Sequence, residues 1–287
     1  MSKPTHDYGV VVLYYRLGDR VFDTLEALSR QTSVPAQVVV VDNASGDGVL
    51  DELPARFPSA RLVTLQENIG YSAAMNAGAD ALDLAPANVL FLTHEVLMRP
   101  ECVRNLLAAF DTDPTLGMVG PALKLHGTDQ AWSYGGIVDR FGEVRHITDA
   151  GAQQAEWLDG ACLLARRHQL TSVGGFDTDY FLYWEDVDLS LRFARVGAIG
   201  CVPDAVAYQD TATAPIYFRT RNQILCWRKH RRHWFLAASS AKAFAKVAID
   251  LGHGRHLYAF VRLRALLDGF TGNLSTNRNR MLRETMI

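Results

Sequence analysis

The sequence predicts an α/β fold: a mostly parallel sheet with helices on its faces. Three observations predict it. Short β-branched runs recur through the first third of the chain, and several end in polar residues, as in "VVVVDNAS" at 38–45. Segments of helical period separate these runs, and strand–helix alternation is the pattern of a parallel sheet. The chain has 287 residues and is 48% hydrophobic, which suits one large domain, or one domain with an appendage.

The elements follow in order. "YGVVVLYY" (8–15) reads as a buried strand, and "RVFDTLEALSRQ" (20–31) sets Val21, Leu25 and Leu28 on one helical face. "AQVVVVDNAS" (36–45) is a second buried strand. "GVLDELPARF" (48–57) is a helix that Pro54 must break or kink. "ARLVTLQEN" (60–68) is a third strand, and "GYSAAMNAGADAL" (70–82) a helix of small residues. "NVLFLTHE" (88–95) is a fourth strand, and "PECVRNLLAAF" (100–110) opens with proline at a helix start. Beyond it, 116–125 reads as a strand with a Gly-Pro break, 132–147 as a hairpin region, and 155–170 as a strand passing into a helix. The segment 173–198 reads as a glycine turn, an aromatic loop and an acidic helix start, and 199–210 as a final strand. Lys242, Lys246 and Asp250 interrupt 234–251, so an amphipathic helix is expected there, with a second after it.

In such sheets ligands bind beyond the carboxyl ends of the strands. Tyr14-Tyr15-Arg16, Asp42-Asn43, Asn68 with Gly70, and Thr93-His94-Glu95 should therefore gather on one edge. Asp42 could accept from the imide N–H of a pyrimidine base, or it could only cap the next turn. Gly70, Ala74 and Ala77 would let a helix approach either the sheet or a nucleotide, and Asn76 could bond in either case. Glu185, Asp186 and Asp188 suit a helix N-terminus, and Asp188 pairs by spacing with Arg192. They also lie beside aromatic residues, where a raised proton affinity suits a general base. No GxGxxG is present, so a dinucleotide fingerprint is absent.

Charge is uneven. Residues 1–210 hold 15 Lys and Arg against 28 Asp and Glu, net −13, while 211–287 hold 14 against 3, net +11. The basic quarter either meets phosphates, acidic polymers or anionic lipid, or docks on the acidic body of the same chain. That acidic body argues against nucleic acid, whereas a pyrophosphate needs only one or two guanidinium forks. Cys102, Cys162, Cys201 and Cys226 are scattered without CxxC or Cys/His spacing, so neither a disulfide framework nor a zinc site is expected and a reducing, cytoplasmic compartment fits. Neither a signal-peptide core nor a spanning run is legible.

The stretches "VVVVDNASGDG", "ENIGYSAAMNAGA", "WLDGACLLARR", "VGGFDTDYFLYWEDVDLSLR" and "YFRTRNQILCWRKH", in that order, resemble the family 2 glycosyltransferases of the GT-A fold, in particular their bacterial rhamnosyltransferase-like branch. The resemblance spans about residues 8–230. It implies a catalytic domain over 1–230, with a nucleotide-binding half to about 110 and an acceptor half beyond, followed by a basic helical extension, 231–287. It implies inverting transfer from a UDP- or dTDP-sugar to a hydroxyl of a glycan, lipid-linked glycan or small molecule. By position, Asp186 is the general base with Glu185 beside it. Tyr14, Tyr15, Asp42, Asn43, Asn68, Gly70 and Asn76 face the nucleotide. Thr93, His94, Arg219 and Arg221 face the sugar and diphosphate, and Trp132, Tyr183 and Trp184 the acceptor. Glu95 falls on the position that holds Mn²⁺ or Mg²⁺, with Gln209 a weak further ligand.

Three departures stand out. Thr93-His94-Glu95 replaces the Asn-Pro-Asp common in relatives, Gln209 stands where they often have histidine, and Tyr15 where they often have asparagine. The competing reading is a degenerate GT-A domain that binds nucleotide or glycan without turnover. The altered metal motif favours it, and the intact "YWEDVDL" opposes it. The extension admits a peripheral contact with the inner face of the membrane or a homodimer.

Overall fold

A computed structural model describes residues 7–151, 154–210 and 214–274. The first half runs β1 (Tyr8–Tyr14), α1 (Arg20–Ser29), β2 (Gln37–Asp42), a 3₁₀ turn (Val49–Glu52), α2 (Leu53–Arg56), β3 (Ala60–Thr64), α3 (Tyr71–Asp80), β4 (Asn88–Thr93), β5 (Leu97–Met98) and α4 (Cys102–Thr112). The second half runs β6 (Leu116–Leu125), β7 (Ala131–Ser133), β8 (Gly136–Val138), β9 (Val144–His146), β10 (Cys162–Arg166), α5 (Arg167–Ser172), α6 (Glu185–Phe193), β11 (Ala198–Gln209), α7 (Ile216–Lys229), α8 (His233–Gly252) and α9 (His256–Thr271).

The main sheet has the order β3-β2-β1-β4-β10-β6-β11-β5, with β7 on β6. Strands β3, β2, β1 and β4 are parallel. All of β1 is buried, and its alternation explains why. Val10, Val12 and Tyr14 pack with Val21, Phe22, Leu25 and Leu28 of α1 on one face. Val11 and Leu13 pack with Tyr71, Ala74 and Met75 of α3 on the other. Small residues let α3 lie close: a Cβ on Gly78 would collide with Val11 and Val41 of the sheet.

The sheet is mostly parallel, as expected, with β10 running antiparallel to both β4 and β6. The chain leaves β6 through the small strands β7, β8 and β9 and comes back without a crossover helix, so the returning strand is reversed. One expectation needs correction: the Gly-Pro break expected in 116–125 is absent. Strand β6 runs straight through Gly120-Pro121, and the irregularity falls on its partner, where Val202 pairs Pro121 and Val206 pairs Ala122. A proline has no N–H for the ladder, and the extra residues of β11 bulge out opposite it. Pro54 does break its segment, separating the 3₁₀ turn from α2.

The last three helices pack on one another. Ile224, Ala243 and Leu266 join α7, α8 and α9. Tyr217 and Phe218 of α7 meet Phe181, Val261 and Ala265.

Candidate functional site

The carboxyl ends of β1, β2 and β4 open into a cleft of about 1240 Å³. Of the eighteen residues given site roles by the resemblance, fourteen line it: Tyr15, Asn43, Asn68, Gly70, Thr93, His94, Glu95, Trp132, Tyr183, Trp184, Glu185, Asp186, Gln209 and Arg219, and Arg16 lines it too. Four do not. Tyr14 is buried beneath the floor, donating its hydroxyl to Asp47 Oδ2 at 2.6 Å and meeting the His94 ring edge-on. Asp42 Oδ1 accepts the Ser45 N–H at 2.8 Å, so this carboxylate caps its turn. Asn76 spends both ends of its amide on the Phe176 backbone, tying α3 to the loop before α6. Arg221 is fully buried, and its guanidinium donates to the carbonyls of Asp179, Gly272 and Asn273. It is a tie between loops, which leaves Arg219, exposed two residues earlier in α7, as the cation of the pair on the cleft wall.

Asn43 organises the nucleotide side. Its Nδ2 donates to Asn68 Oδ1 and Gly70 O, and its Oδ1 accepts from Ile69 N–H. Gly70 has φ +86°, and a Cβ there would strike the Phe181 carbonyl, so only glycine fits. The next residue, Tyr71, donates its N–H to that carbonyl at 2.7 Å and its hydroxyl to Gly160 O at 2.6 Å.

Thr93, His94 and Glu95 sit where β4 ends. His94 Nδ1–H donates to Leu13 O at 3.0 Å, which leaves Nε2 as an acceptor 3.3 Å from Glu95 Oε2. Burial lowers the imidazole to about 4, so it is neutral. Burial raises the Glu95 carboxyl to about 7; Arg20 pulls it down, and Asp210 and Asp159 push it up. The Thr93 hydroxyl is buried without a hydrogen-bond partner. A neutral imidazole nitrogen, a carboxylate crowded by other acids and an orphaned hydroxyl fit a divalent cation. Among the described residues Asp188, Cys226 and His230 also come within 4.8 Å of one another. Against the upward push of burial, hydrogen bonds from His230 and Arg192 hold Asp188 below the usual range, so its oxygens are already engaged.

Asp186 and Glu185 open α6. Asp186 accepts N–H groups from Val187 and Gly160 at 2.8 and 3.1 Å. Burial and then the neighbouring Asp159 raise it to about 7, against those two donors. Burial and the Asp186 charge also push Glu185 well above its usual range, and its Oε2 has no hydrogen-bond partner. Asp159 was missed in the sequence. It lines the cleft between Trp157 and β10, and it acts electrostatically on both Glu95 and Asp186. Its only signal was its place in "WLDGACLLARR". Trp132, which donates to Asp159 Oδ2, packs with His146 and then Trp157 into an aromatic wall, ring centroids 4.6 and 4.9 Å apart.

The turn into α6 is strained. Tyr183 and Trp184 take φ of +68° and +73°, a region costly for side chains of this size. Asn222 of α7, fully buried, holds it by donating Nδ2 to the carbonyls of Leu182 and Tyr183 at 2.9 and 2.7 Å. Asn222→Ala leaves both carbonyls unpaired. It is expected to cost about 1–3 kcal/mol in urea unfolding and to lower kcat more than donor affinity, because the residues after the turn are Glu185 and Asp186. An unchanged kcat in a folded variant would refute the positioning role.

Comparison with known proteins gives a consistent picture. Residues 4–241 match the model of a family described as "Glycosyltransferase like family 2". The chain is 29% identical over 227 residues to the N-acetylglucosaminyl-diphospho-decaprenol L-rhamnosyltransferase of Mycobacterium tuberculosis, covering 68% of this chain and 73% of that one. Among solved structures it resembles mannosyltransferase PcManGT from Pyrobaculum calidifontis in complex with GDP-Man and Mn²⁺, with a TM-score of 0.61 and 17% identity over 93% of this chain and 88% of that one. It also resembles GalNAc-T7 with UDP, GalNAc and Mn²⁺, with a TM-score of 0.65 and 13% identity over 79% of this chain and 48% of that one.

Proposed function

Because the chain belongs to the glycosyltransferases of family 2, with the GT-A fold, we propose that it moves a sugar, with inversion, from a UDP- or dTDP-sugar to an acceptor hydroxyl, using Asp186 as general base. The observation that carries this reading is Asp186 itself. It is a cleft carboxyl raised to about 7, anchored by two backbone donors and backed by an aromatic wall. A base with proton affinity near neutrality is best placed to take a hydroxyl proton.

The acceptor oxygen attacks the anomeric carbon and loses its proton to an Asp186 oxygen, and the bond to the diphosphate breaks on the opposite side. Trp132, Tyr183 and Trp184 offer apolar faces to an acceptor ring, with Glu185 closing the pocket. Tyr15, Asn43, Asn68 and Gly70 border the nucleotide side, and Arg219 faces the diphosphate. Glu95 and His94 Nε2 would hold Mn²⁺ or Mg²⁺, with Gln209 nearby as a weak amide donor. Such a cation supplies positive charge to the departing diphosphate. The relative named for a decaprenol-linked acceptor supports a lipid-linked glycan acceptor, and a glycan or small molecule suits the same wall.

A thermal-shift screen of UDP-, dTDP- and GDP-sugars, with and without Mn²⁺, tests the reading. At a hundredfold excess over Kd the bound donor adds about 2.7 kcal/mol, a rise of several degrees for a chain of this size. One donor class should stabilise, and more so with Mn²⁺. No response to any donor with metal present would overturn the proposal.

A further inference from the structure

The α8–α9 hairpin is amphipathic in an inverted sense. Its small and acidic residues face inward: Ser239, Ala243 and Asp250 of α8, and Ala265, Asp268 and Gly269 of α9, are buried. Most of its large apolar residues face outward, Val261 and Leu266 excepted. Nine of the fifteen exposed large hydrophobic residues of the described chain lie between 234 and 270. On α9, Phe260, Leu263, Leu267 and Phe270 recur at spacings of three and four, a single helical stripe, and Phe260 is 63% exposed. On α8, Phe244 and Leu251 lie one helical face apart by seven residues, with exposed alanines between them.

Charge identifies the occupant. Residues 233–274 hold five Lys and Arg, Lys242, Lys246, Arg255, Arg262 and Arg264, and two acids, Asp250 and Asp268. Both acids are buried and already engaged. Asp250 pairs with Arg255 and Arg262, and Asp268 with Tyr217 and Arg264. The outer surface of these helices therefore shows apolar groups and cations, with no acid. A second copy of the same face would set cations against cations. A surface of anionic phospholipid complements both features. Among the described residues no helix is long and apolar enough to cross a membrane.

We propose that the α8–α9 hairpin lies on an anionic phospholipid surface, with the Phe260–Phe270 stripe in the headgroup boundary and its cations at the phosphates. Lys242 of α8 ties this face to the cleft. It pairs at 2.7 Å with Glu143, a cleft residue also held by Gln223 of α7. Docking would hold the cleft one helix away from the lipid surface.

Flotation of the full chain with phosphatidylcholine vesicles, with and without phosphatidylglycerol, tests the inference. The chain should float only with phosphatidylglycerol, and salt should weaken binding. The double variant F260S/L267S should bind at least tenfold more weakly while keeping wild-type donor stabilisation, since neither residue lines the cleft. Equal binding by the variant, or no flotation with phosphatidylglycerol, overturns the proposal. So does a lipid-free dimer in sedimentation velocity that the same substitutions dissolve, since the occupant is then a second copy. The flotation readout needs neither donor nor turnover, so failure here and failure of the transfer reading are separate results.

Discussion

Asp186→Asn is expected to lower kcat by roughly 10²–10⁴-fold, the usual contribution of a positioned general base, while leaving the thermal shift given by donor within error of wild type. The asparagine keeps the shape and an acceptor oxygen for one of the two backbone N–H donors but cannot take the hydroxyl proton. In the wild type, kcat should climb with pH through about 7 as Asp186 loses its proton. Stability runs the other way. A carboxyl whose folded pKa is raised keeps a proton that the unfolded chain releases, so its contribution is full at low pH and is lost as pH rises to about 7. The Asn variant has no such loss. The difference in melting temperature, variant minus wild type, should therefore grow as pH rises from 5 to 8, measured by scanning fluorimetry. Retention of more than a tenth of kcat by the variant would remove Asp186 from the role of base.

Glu95→Ala is expected to give the second largest effect. With its carboxylate gone, only the His94 nitrogen remains of the strand-end donor pair, and the charge facing the diphosphate is lost. A fall in kcat of roughly 10²–10³-fold is expected, comparable to removal of one electrostatic contact to a developing charge. The melting temperature of wild type, but not of the variant, should rise on adding Mn²⁺ with nucleoside diphosphate. Because burial lifts Glu95 to about 7, protons compete with the cation there, and the Mn²⁺ midpoint should fall as pH rises through that value. Chelation should inactivate the wild type reversibly. A variant still activated by Mn²⁺ at the wild-type midpoint would place the cation elsewhere.

Much of the fold was legible because it is written in periodicity. The runs at 8–15 and 36–45 could only be strands buried on both faces, and their polar ends mark the cleft edge. Strand direction was not legible. "CLLAR" reads the same parallel or antiparallel, and only the return through β7, β8 and β9 reverses it. Side-chain destination was also hidden. Arginines interleaved with aromatics look alike whether they line the cleft, as Arg219 does, or meet backbone carbonyls, as Arg221 does. Asp42 and Asn43 are neighbours at a strand end, yet one caps a turn and the other borders the cleft. The strain at Tyr183 and Trp184 could not be foreseen, since neither is a residue that prefers positive φ.

Asp159 has a consequence for timing. Its charge raises the proton affinity of Glu95 on one side and of Asp186 on the other. Positive charge arriving near Glu95 with a donor would be felt through the same acidic centre, lowering the proton affinity of the base. Such coupling is reciprocal: an ionised base would in turn tighten the hold on the cation. The empty cleft would then keep its base discharged, and the loaded cleft would arm it. Asp159 would thus favour an order of events, donor before deprotonation, and limit wasteful attack by water.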